Sequence, residues 1–263
     1  MNMISLKEFN QQMQEKGWFI FHDLVSLELV NCMLDDLQGA YQICRQIQLS
    51  NNIPLNNEGT LHHLVELGES FIDYLIFSEC LDPYLQEYFC GKYILNSFGG
   101  NINIKGIASY ASMIHRDIRS YSAHIPLLLN TLVMLDDFTR DNGATHLMSG
   151  SHHTHPHLPT EQEFSSVAEQ AIAKAGSVLV FNSNLWHCAG KNITDLPRRS
   201  ITPMYCKPFI KQQYDYSRAL GYDQVNHYTN WLKQILGYHA RVPSSLNEWY
   251  QPKEKRMYKS DQG

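Results

Sequence analysis

The sequence contains no feature that predicts export, a membrane span or a thiolate metal site. None of its six cysteines falls in a Cys-x-x-Cys pair, which argues against a thiolate zinc site. Its longest apolar stretch, Ile125–Leu135, is interrupted by Pro126, Asn130 and Thr131 and is too short to cross a bilayer. The N-terminal stretch lacks the apolar core of a signal peptide, so we expect a cytoplasmic protein with reduced thiols.

A strong basic charge is also missing. The chain has 21 Lys and Arg against 26 Asp and Glu, which gives a net charge of −5. Because binding to a phosphate backbone needs a basic excess or a basic stripe, the charge argues against nucleic acid as the main partner. The motifs of dinucleotide-binding, P-loop, zincin and α/β-hydrolase proteins are absent as well. We therefore expect a small-molecule substrate, with neither nucleic acid nor membrane as a partner.

The composition is that of a globular chain, with 43% hydrophobic and 18% charged residues among 263. The length predicts a single domain over residues 1–263. Residues 1–91 have mainly helical patterns, and residues 213–263 are again compatible with helices. Between them, over residues 92–212, short apolar runs alternate with turn signals, which is typical of an antiparallel sandwich or barrel. A jelly roll closes best at this length, so we expect a mainly β, α+β fold.

The first candidate site is the pair His115 and Asp117. Residues i and i+2 of a strand share a face and lie about 6.6 Å apart along it, so an imidazole and a carboxylate could converge on one metal. On its own this His-x-Asp pair is a weak signal, and a surface pair is the alternative.

A third donor follows a predicted strand of the same region. The strand that includes Val178–Phe181 leads to His187, at its end. Two histidines and one carboxylate form a three-ligand face that leaves positions open and suits a non-haem Fe(II) oxygenase. The same donors could serve a zinc hydrolase, and His187 could instead be a satisfied core histidine.

An arginine, Arg198, follows His187 by eleven residues and completes the pattern. A hairpin would bring Arg198 back beside His187, where its guanidinium could bind a carboxylate through two hydrogen bonds. Arg199 must point to the other face of the returning strand. A zinc hydrolase gives Arg198 no role, although the residues around it could also form a solvated turn.

These motifs, in their order and spacing, resemble those of the phytanoyl-CoA dioxygenase family of iron(II)/2-oxoglutarate oxygenases. The resemblance covers most of the chain, and it departs from the family pattern at Met148 and Leu132. The matching motifs are His115-x-Asp117, Asp141-Asn142-Gly143-Ala144-Thr145, Ser149-Gly150-Ser151-His152, Gly176-Ser177-Val178, and His187-x-x-Gly190-x-Asn192-x-Thr194 leading to Arg198.

The resemblance implies a double-stranded β-helix, which is a jelly roll, with supporting N-terminal and C-terminal helices. It implies Fe(II) as the metal, with 2-oxoglutarate and O2 as co-substrates. The implied metal ligands and catalytic residues are His115, Asp117 and His187. The implied co-substrate contacts are Arg198, Asn101 and Thr194.

The implied reaction splits 2-oxoglutarate into succinate and CO2 and hydroxylates an unactivated C–H bond of a small metabolite. Desaturation or cyclisation with the same cofactors is one alternative, and a non-catalytic metal-binding jelly-roll protein is another. Halogenases of this broad fold replace the carboxylate ligand with a small residue, so the presence of Asp117 argues against halogenation.

Two further residues suggest the substrate class. If the strand of His115 continues, Arg119 and Tyr121 share the face of Asp117 and lie towards the mouth of the pocket. A guanidinium beside an aromatic ring suits a carboxylate or a phosphate. We therefore expect a small anionic or zwitterionic metabolite rather than a long acyl thioester, the alternative being that Arg119 pairs with a surface acid.

Overall fold

The computed structural model describes residues 4–54, 59–107, 109–123 and 125–262. Most of its strands form a six-stranded antiparallel sheet, in the order β1-β7-β4-β9-β3-β2. The bounds of these strands are β1 Trp18–Phe21, β2 Thr60–Leu61, β3 Ile94–Asn103, β4 Leu128–Met134, β7 Val178–Asn182 and β9 Arg198–Cys206.

A smaller, three-stranded sheet has the order β6-β5-β8. Its strands are β5 His146–Leu147, β6 Glu169–Gln170 and β8 His187–Cys188. The partner of Leu147 in this sheet is His187, so the third candidate ligand lies on a strand, as its position after an apolar run predicts.

Nine α-helices within the described residues support the sheets. The four in the first ninety residues are α1 Leu6–Glu15, α2 Leu27–Ser50, α3 Glu69–Phe77 and α4 Asp82–Phe89. The others are α5 Ser151–Thr154, α6 Glu161–Val167, α7 Tyr216–Ala219, α8 Asn230–Ile235 and α9 Leu246–Trp249. In the part of the chain that the structure describes, no helix is both long and apolar enough to cross a membrane.

The long helix α2 shows why these segments fold as they do. It begins after Ser26, whose hydroxyl accepts a hydrogen bond from the backbone N–H of Leu29 at 3.2 Å and so caps the helix. Its buried residues include Met33 and Leu37, which recur at helical spacing and are fully buried against the main sheet and α3. Burial of this apolar stripe holds the helix in place.

The main sheet is built from strands that are distant in the sequence. Strand β9 lies between β3 and β4 and pairs with both, for example Cys206 with Ile94 and with Leu128. Strand β1 adds to the outer edge of β7. This antiparallel, sheet-rich arrangement with supporting helices confirms the expected fold class.

Candidate metal centre and its cavity

Three potential metal ligands converge in the structure. Suitable donor atoms of His115, Asp117 and His187 all lie within 4.8 Å of one another. Nε2 of His115 is 3.7 Å from Oδ1 of Asp117, and Nε2 of His187 is 3.4 Å from Oδ2 of the same carboxylate. Two imidazoles and one carboxylate can form one face of a metal's coordination sphere.

The backbone brings the two histidines together directly. The N–H of each donates to the carbonyl oxygen of the other at 2.9 Å, so His115 and His187 form an isolated antiparallel bridge. The segment around His115 is otherwise irregular. The expected strand through Asp117 and beyond is therefore wrong, because His115 forms an isolated bridge and the other backbone hydrogen bonds of this segment, such as Ile118 N–H to the Ser183 carbonyl, do not form a ladder.

Each histidine is oriented by a carbonyl two residues before it. Nδ1 of His115 is 2.7 Å from the oxygen of Met113, and Nδ1 of His187 is 3.0 Å from the oxygen of Leu185. In both rings Nδ1 is therefore the donor, which leaves the Nε2 lone pair for a metal. Burial lowers the pKa of His187 to about 4, and nearby His115 adds to the shift, so the His187 imidazole is neutral at pH 7.

The carboxylate has a partner that sequence reasoning did not identify. Asn130 on β4 is 6% exposed, and its Nδ2 donates to Oδ2 of Asp117 at 2.6 Å. Its sequence signal is a polar residue inside an otherwise apolar run. An amide donor in this position restricts rotation of the carboxylate and holds it towards the two imidazoles.

The three ligands line a cavity of about 680 Å³. This volume is in the usual range for small-molecule sites. Asn101, Arg198, Arg119 and Asn130 also line it. The cavity therefore brings the ligand cluster together with three arginines, Arg116, Arg119 and Arg198.

Arg198 is a buried cation, and no acidic side chain among the described residues forms an ion pair with it. It is 1% exposed, its Nη2 donates to Oδ1 of Asn101 at 3.1 Å, and its guanidinium lies 4.4 Å from the Phe138 ring. Among the described residues, no partner is found for its Nε or Nη1. Burial lowers its pKa to about 10, which Asp136 partly opposes. An unpaired buried guanidinium of this kind fits an anionic ligand.

Arg199, the next residue, is on the opposite side of β9. Its Nε and Nη2 donate to the two carboxylate oxygens of Asp136 at 2.9 and 2.7 Å. These hydrogen bonds raise its pKa. Side-chain alternation along the strand thus gives one arginine to the cavity and the other to an ion pair.

The residues present fit the expected iron and 2-oxoglutarate. Neutral imidazole nitrogen and carboxylate oxygen are suitable donors for Fe(II), and 2-oxoglutarate carries a distal carboxylate that needs a cation. Arg198 and Asn101 lie together in the cavity that the ligand cluster also lines.

The structure does not bring two of the expected residues into this cavity. The hydroxyl of Thr194 donates to Oδ1 of Asn192 at 2.8 Å, within its own loop. The hydroxyl of Tyr121 donates to the carbonyl of His152 at 3.1 Å, and its ring packs on Arg116. Tyr121 lies outside the cavity because the chain after Asp117 does not continue as a strand. Arg119, by contrast, lines the cavity and is exposed.

Comparison with known proteins agrees with this site. Residues 85–200 match the sequence model of the Phytanoyl-CoA dioxygenase (PhyH) family. An uncharacterized protein of Mycobacterium tuberculosis is 36% identical over 154 residues. The match covers 59% of this chain and 56% of that protein, so the chain spans little more than half the length of this relative.

Solved structures show the same fold. EctD from S. alaskensis, determined with 2-oxoglutarate and 5-hydroxyectoine, matches with a TM-score of 0.63 and 16% identity over 77% of this chain and 76% of EctD. SnoN, an alpha-ketoglutarate-dependent epimerase from nogalamycin biosynthesis, matches with a TM-score of 0.57 and 16% identity over 76% of this chain and 80% of SnoN. The shared fold is the jelly roll of 2-oxoglutarate-dependent oxygenases. Over residues 85–200 this chain is thus similar to the phytanoyl-CoA dioxygenase family, and its three-ligand cluster is of the two-histidine, one-carboxylate type.

Proposed function

We propose that this protein is an Fe(II)/2-oxoglutarate-dependent oxygenase that hydroxylates a C–H bond of a small metabolite. One observation carries the proposal: a cluster of two histidines and one aspartate lines the same cavity as a buried arginine for which the described part of the chain provides no acidic partner. The cluster would bind the metal, and the arginine would bind the co-substrate.

Each side chain has a defined task in this proposal. His115, Asp117 and His187 hold Fe(II), and Asn130 keeps the carboxylate in place. Arg198, oriented by Asn101, binds the distal carboxylate of 2-oxoglutarate. When bound, the metal with 2-oxoglutarate and O2 supplies the oxidising chemistry and releases succinate and CO2. The chain itself provides orientation and a cavity that limits the access of water.

Hydroxylation is the reaction outcome that we propose, because it requires no acid or base from the protein at the C–H bond. The name of the epimerase SnoN shows that this fold can also serve another outcome. Desaturation and cyclisation are therefore the alternatives to be tested by product analysis. A non-catalytic metal-binding protein would leave Arg198 without a function.

The metal site is tested by spectroscopy without O2. Fe(II) with 2-oxoglutarate should give a weak visible charge-transfer band in the wild-type protein. His115→Ala, Asp117→Ala and His187→Ala should each abolish it. His239→Ala, at a half-buried histidine bonded to Gln234, is the matched control and should keep the band. A band that persists in His187→Ala, or no O2-dependent succinate from the wild type, would contradict the proposal.

We further propose that the substrate is small and carries an anionic group, bound by Arg119 at the cavity mouth. Arg119 is exposed there, and no ion pair to it is found within the described residues. The positive charge of Arg119 lies near the phenol of Tyr110, which also lines the cavity. Burial and Asp117 raise the pKa of that phenol, and Arg119 partly reverses the rise. A guanidinium and a phenol can together bind a carboxylate or a phosphate.

The substrate class is tested with a panel of small carboxylates, phosphates, neutral and cationic metabolites. The anionic members should stimulate succinate formation, and Arg119→Ala should raise their KM. Arg140→Ala is the control, since this exposed arginine lines a different surface cavity. Stimulation by neutral or cationic compounds alone, or an unchanged KM in Arg119→Ala, would overturn the anionic assignment.

A further inference from the structure

Arg116 stands between two of the proposed metal ligands, but its guanidinium contacts a different set of groups. It lies 4.0 Å from the Trp186 ring and 4.9 Å from the Tyr121 ring. It also donates to two backbone carbonyls, that of Pro156 at 3.2 Å and that of His155. The His-x-Asp segment is thereby attached to the two residues that directly follow α5.

The same stretch, residues 151–156, also holds the segment of the third ligand. Trp186 immediately precedes His187 and is 8% exposed. Its indole Nε1 donates to the carbonyl of His155 at 2.8 Å, and its backbone N–H donates to the hydroxyl of Ser151 at 3.0 Å. Arg116 and Trp186 thus stack on each other and donate to one shared acceptor. Both ligand-bearing segments are fixed to the same short stretch of chain.

The contacts of Arg116 differ from those of a stabilising ion pair because they depend on its planar guanidinium. Arg116 is half-buried, no acid pairs with it among the described residues, and its Nε is buried without a partner. Holding a cation in this position costs free energy unless its planar contacts offset the cost. Those contacts are made by the flat guanidinium and cannot be reproduced by a lysine ammonium.

We propose that Arg116 is a positioning residue that fixes His115 and Asp117 relative to His187 and thereby sets the affinity of the metal site. The inference rests on the proposed metal site and adds a residue that contributes no donor atom to it. Contacts behind metal ligands commonly change affinity by about 10- to 100-fold. Loss of Arg116 removes the side-chain link between the two segments, which leaves backbone hydrogen bonds to join them: the His115–His187 bridge, Ile118 N–H to the Ser183 carbonyl and Ala189 N–H to the Ala111 carbonyl.

The test uses Co(II), which binds without turnover and whose visible spectrum depends on ligand geometry. Titrations without O2 compare the wild type with Arg116→Met and Arg116→Lys. Both variants should bind Co(II) about 10- to 100-fold more weakly and give an altered spectrum. Arg241→Met is the matched control, because Arg241 is also half-buried and stacks on Tyr222 at 4.5 Å. It should bind Co(II) as the wild type does.

A second measurement separates positioning from general stability. Thermal unfolding of the metal-free variants shows how far each substitution weakens the fold, and titrations are done well below those temperatures. In Trp186→Phe, adding Arg116→Met should weaken Co(II) binding by a smaller factor than it does in the wild type, since the two residues act through one contact. If Arg116→Met does not fold, Arg116→Lys carries the comparison.

Two outcomes would overturn the inference in different ways. If both Arg116 variants bind Co(II) within about twofold of the wild type with the same spectrum, Arg116 serves only packing, and the metal site itself stands. If the wild type binds no Co(II), the proposed metal site fails and the positioning role fails with it.

Discussion

The two walls of the cavity are built in different ways. One wall is the main sheet, where β9 presents Arg198 and pairs with β3, in regular register from Ser97 to Asn103, which lies opposite Arg198. The other wall is the irregular segment of residues 109–123, which carries His115 and Asp117. A backbone bridge, the Asn130 amide and the stacked Arg116 hold this second wall in place.

The difference shows how each half of the site is specified. On the sheet wall, the ladder of hydrogen bonds sets the direction of every side chain, so a residue's role follows from its register. On the segment wall, individual side-chain contacts set the ligand geometry. We therefore expect a substitution on the sheet wall to remove only the contact that its own side chain makes. A substitution on the segment wall should instead displace the proposed metal ligands that the lost side chain holds.

The largest expected effect lies on the sheet wall. Arg198→Ala should weaken 2-oxoglutarate binding by about 30- to several-thousand-fold, because removing one partner of a buried charge pair costs roughly 2–5 kcal/mol. Arg199→Ala, one residue away, should weaken it only slightly, since Arg199 pairs with Asp136 on the opposite side. Titration of the Fe(II) charge-transfer band with 2-oxoglutarate measures both. The reverse order of effects would mean that the register of β9 is shifted by one residue.

An intermediate effect is expected where the two walls meet. Asn130→Ala removes the 2.6 Å hydrogen bond to Asp117 and should weaken metal binding by about 10- to 100-fold. The control is Asn96→Ala, which removes an equally buried amide whose Nδ2 donates to the Lys211 carbonyl, outside the ligand cluster. Equal losses in both variants would show that Asn130 supports the fold and not the carboxylate.

The smallest expected effect is a fall in the free energy of unfolding at acid pH, caused by a histidine behind the segment wall. Tyr121 of that wall bonds to the carbonyl of His152, whose ring is buried and whose pKa is lowered to about 4 by burial and by His153. The unfolded chain takes up the proton near pH 6.5. Stability from this group is therefore complete above that pH and is lost as the pH falls towards 4, by about 1 kcal/mol between 6.5 and 5.5.

Denaturant unfolding at several pH values measures this acid effect. His152→Gln should flatten the pH dependence in that window. His157→Gln, at an exposed histidine after the end of α5, should leave it unchanged. An unchanged slope in His152→Gln would assign the acid sensitivity to other buried groups.

The sequence predicts the sheet wall better than the segment wall. Alternation along a strand correctly separates Arg198 from Arg199, because a nine-residue ladder enforces it. The same rule fails for Tyr121, because the chain after Asp117 is not a strand. The His-x-Asp spacing indicates His115 and Asp117 as the proposed metal ligands of this wall, but it contains no information about where the chain turns.

The contacts behind the ligands are also missed for a physical reason. Asn130 reaches Asp117 from a different strand, and Arg116 reaches Trp186 across 70 residues of sequence. Such long-range pairs depend on the finished packing. The local sequence indicates the role of Asn130 only through its polar side chain within a mostly apolar run. It indicates the role of Arg116 only through the position of a cation between two proposed ligands.

The position of β9 has a consequence for how the protein is made. Strands β3 and β4 leave the ribosome long before β9, yet β9 lies between them and pairs with both. Until residues 198–206 have been synthesised, each of the two strands has an unpaired edge, which is the kind of surface that promotes association between nascent chains. Arg198 arrives with the strand that closes this gap. The proposed co-substrate pocket therefore forms in the same folding step that protects the newly made chain from aggregation.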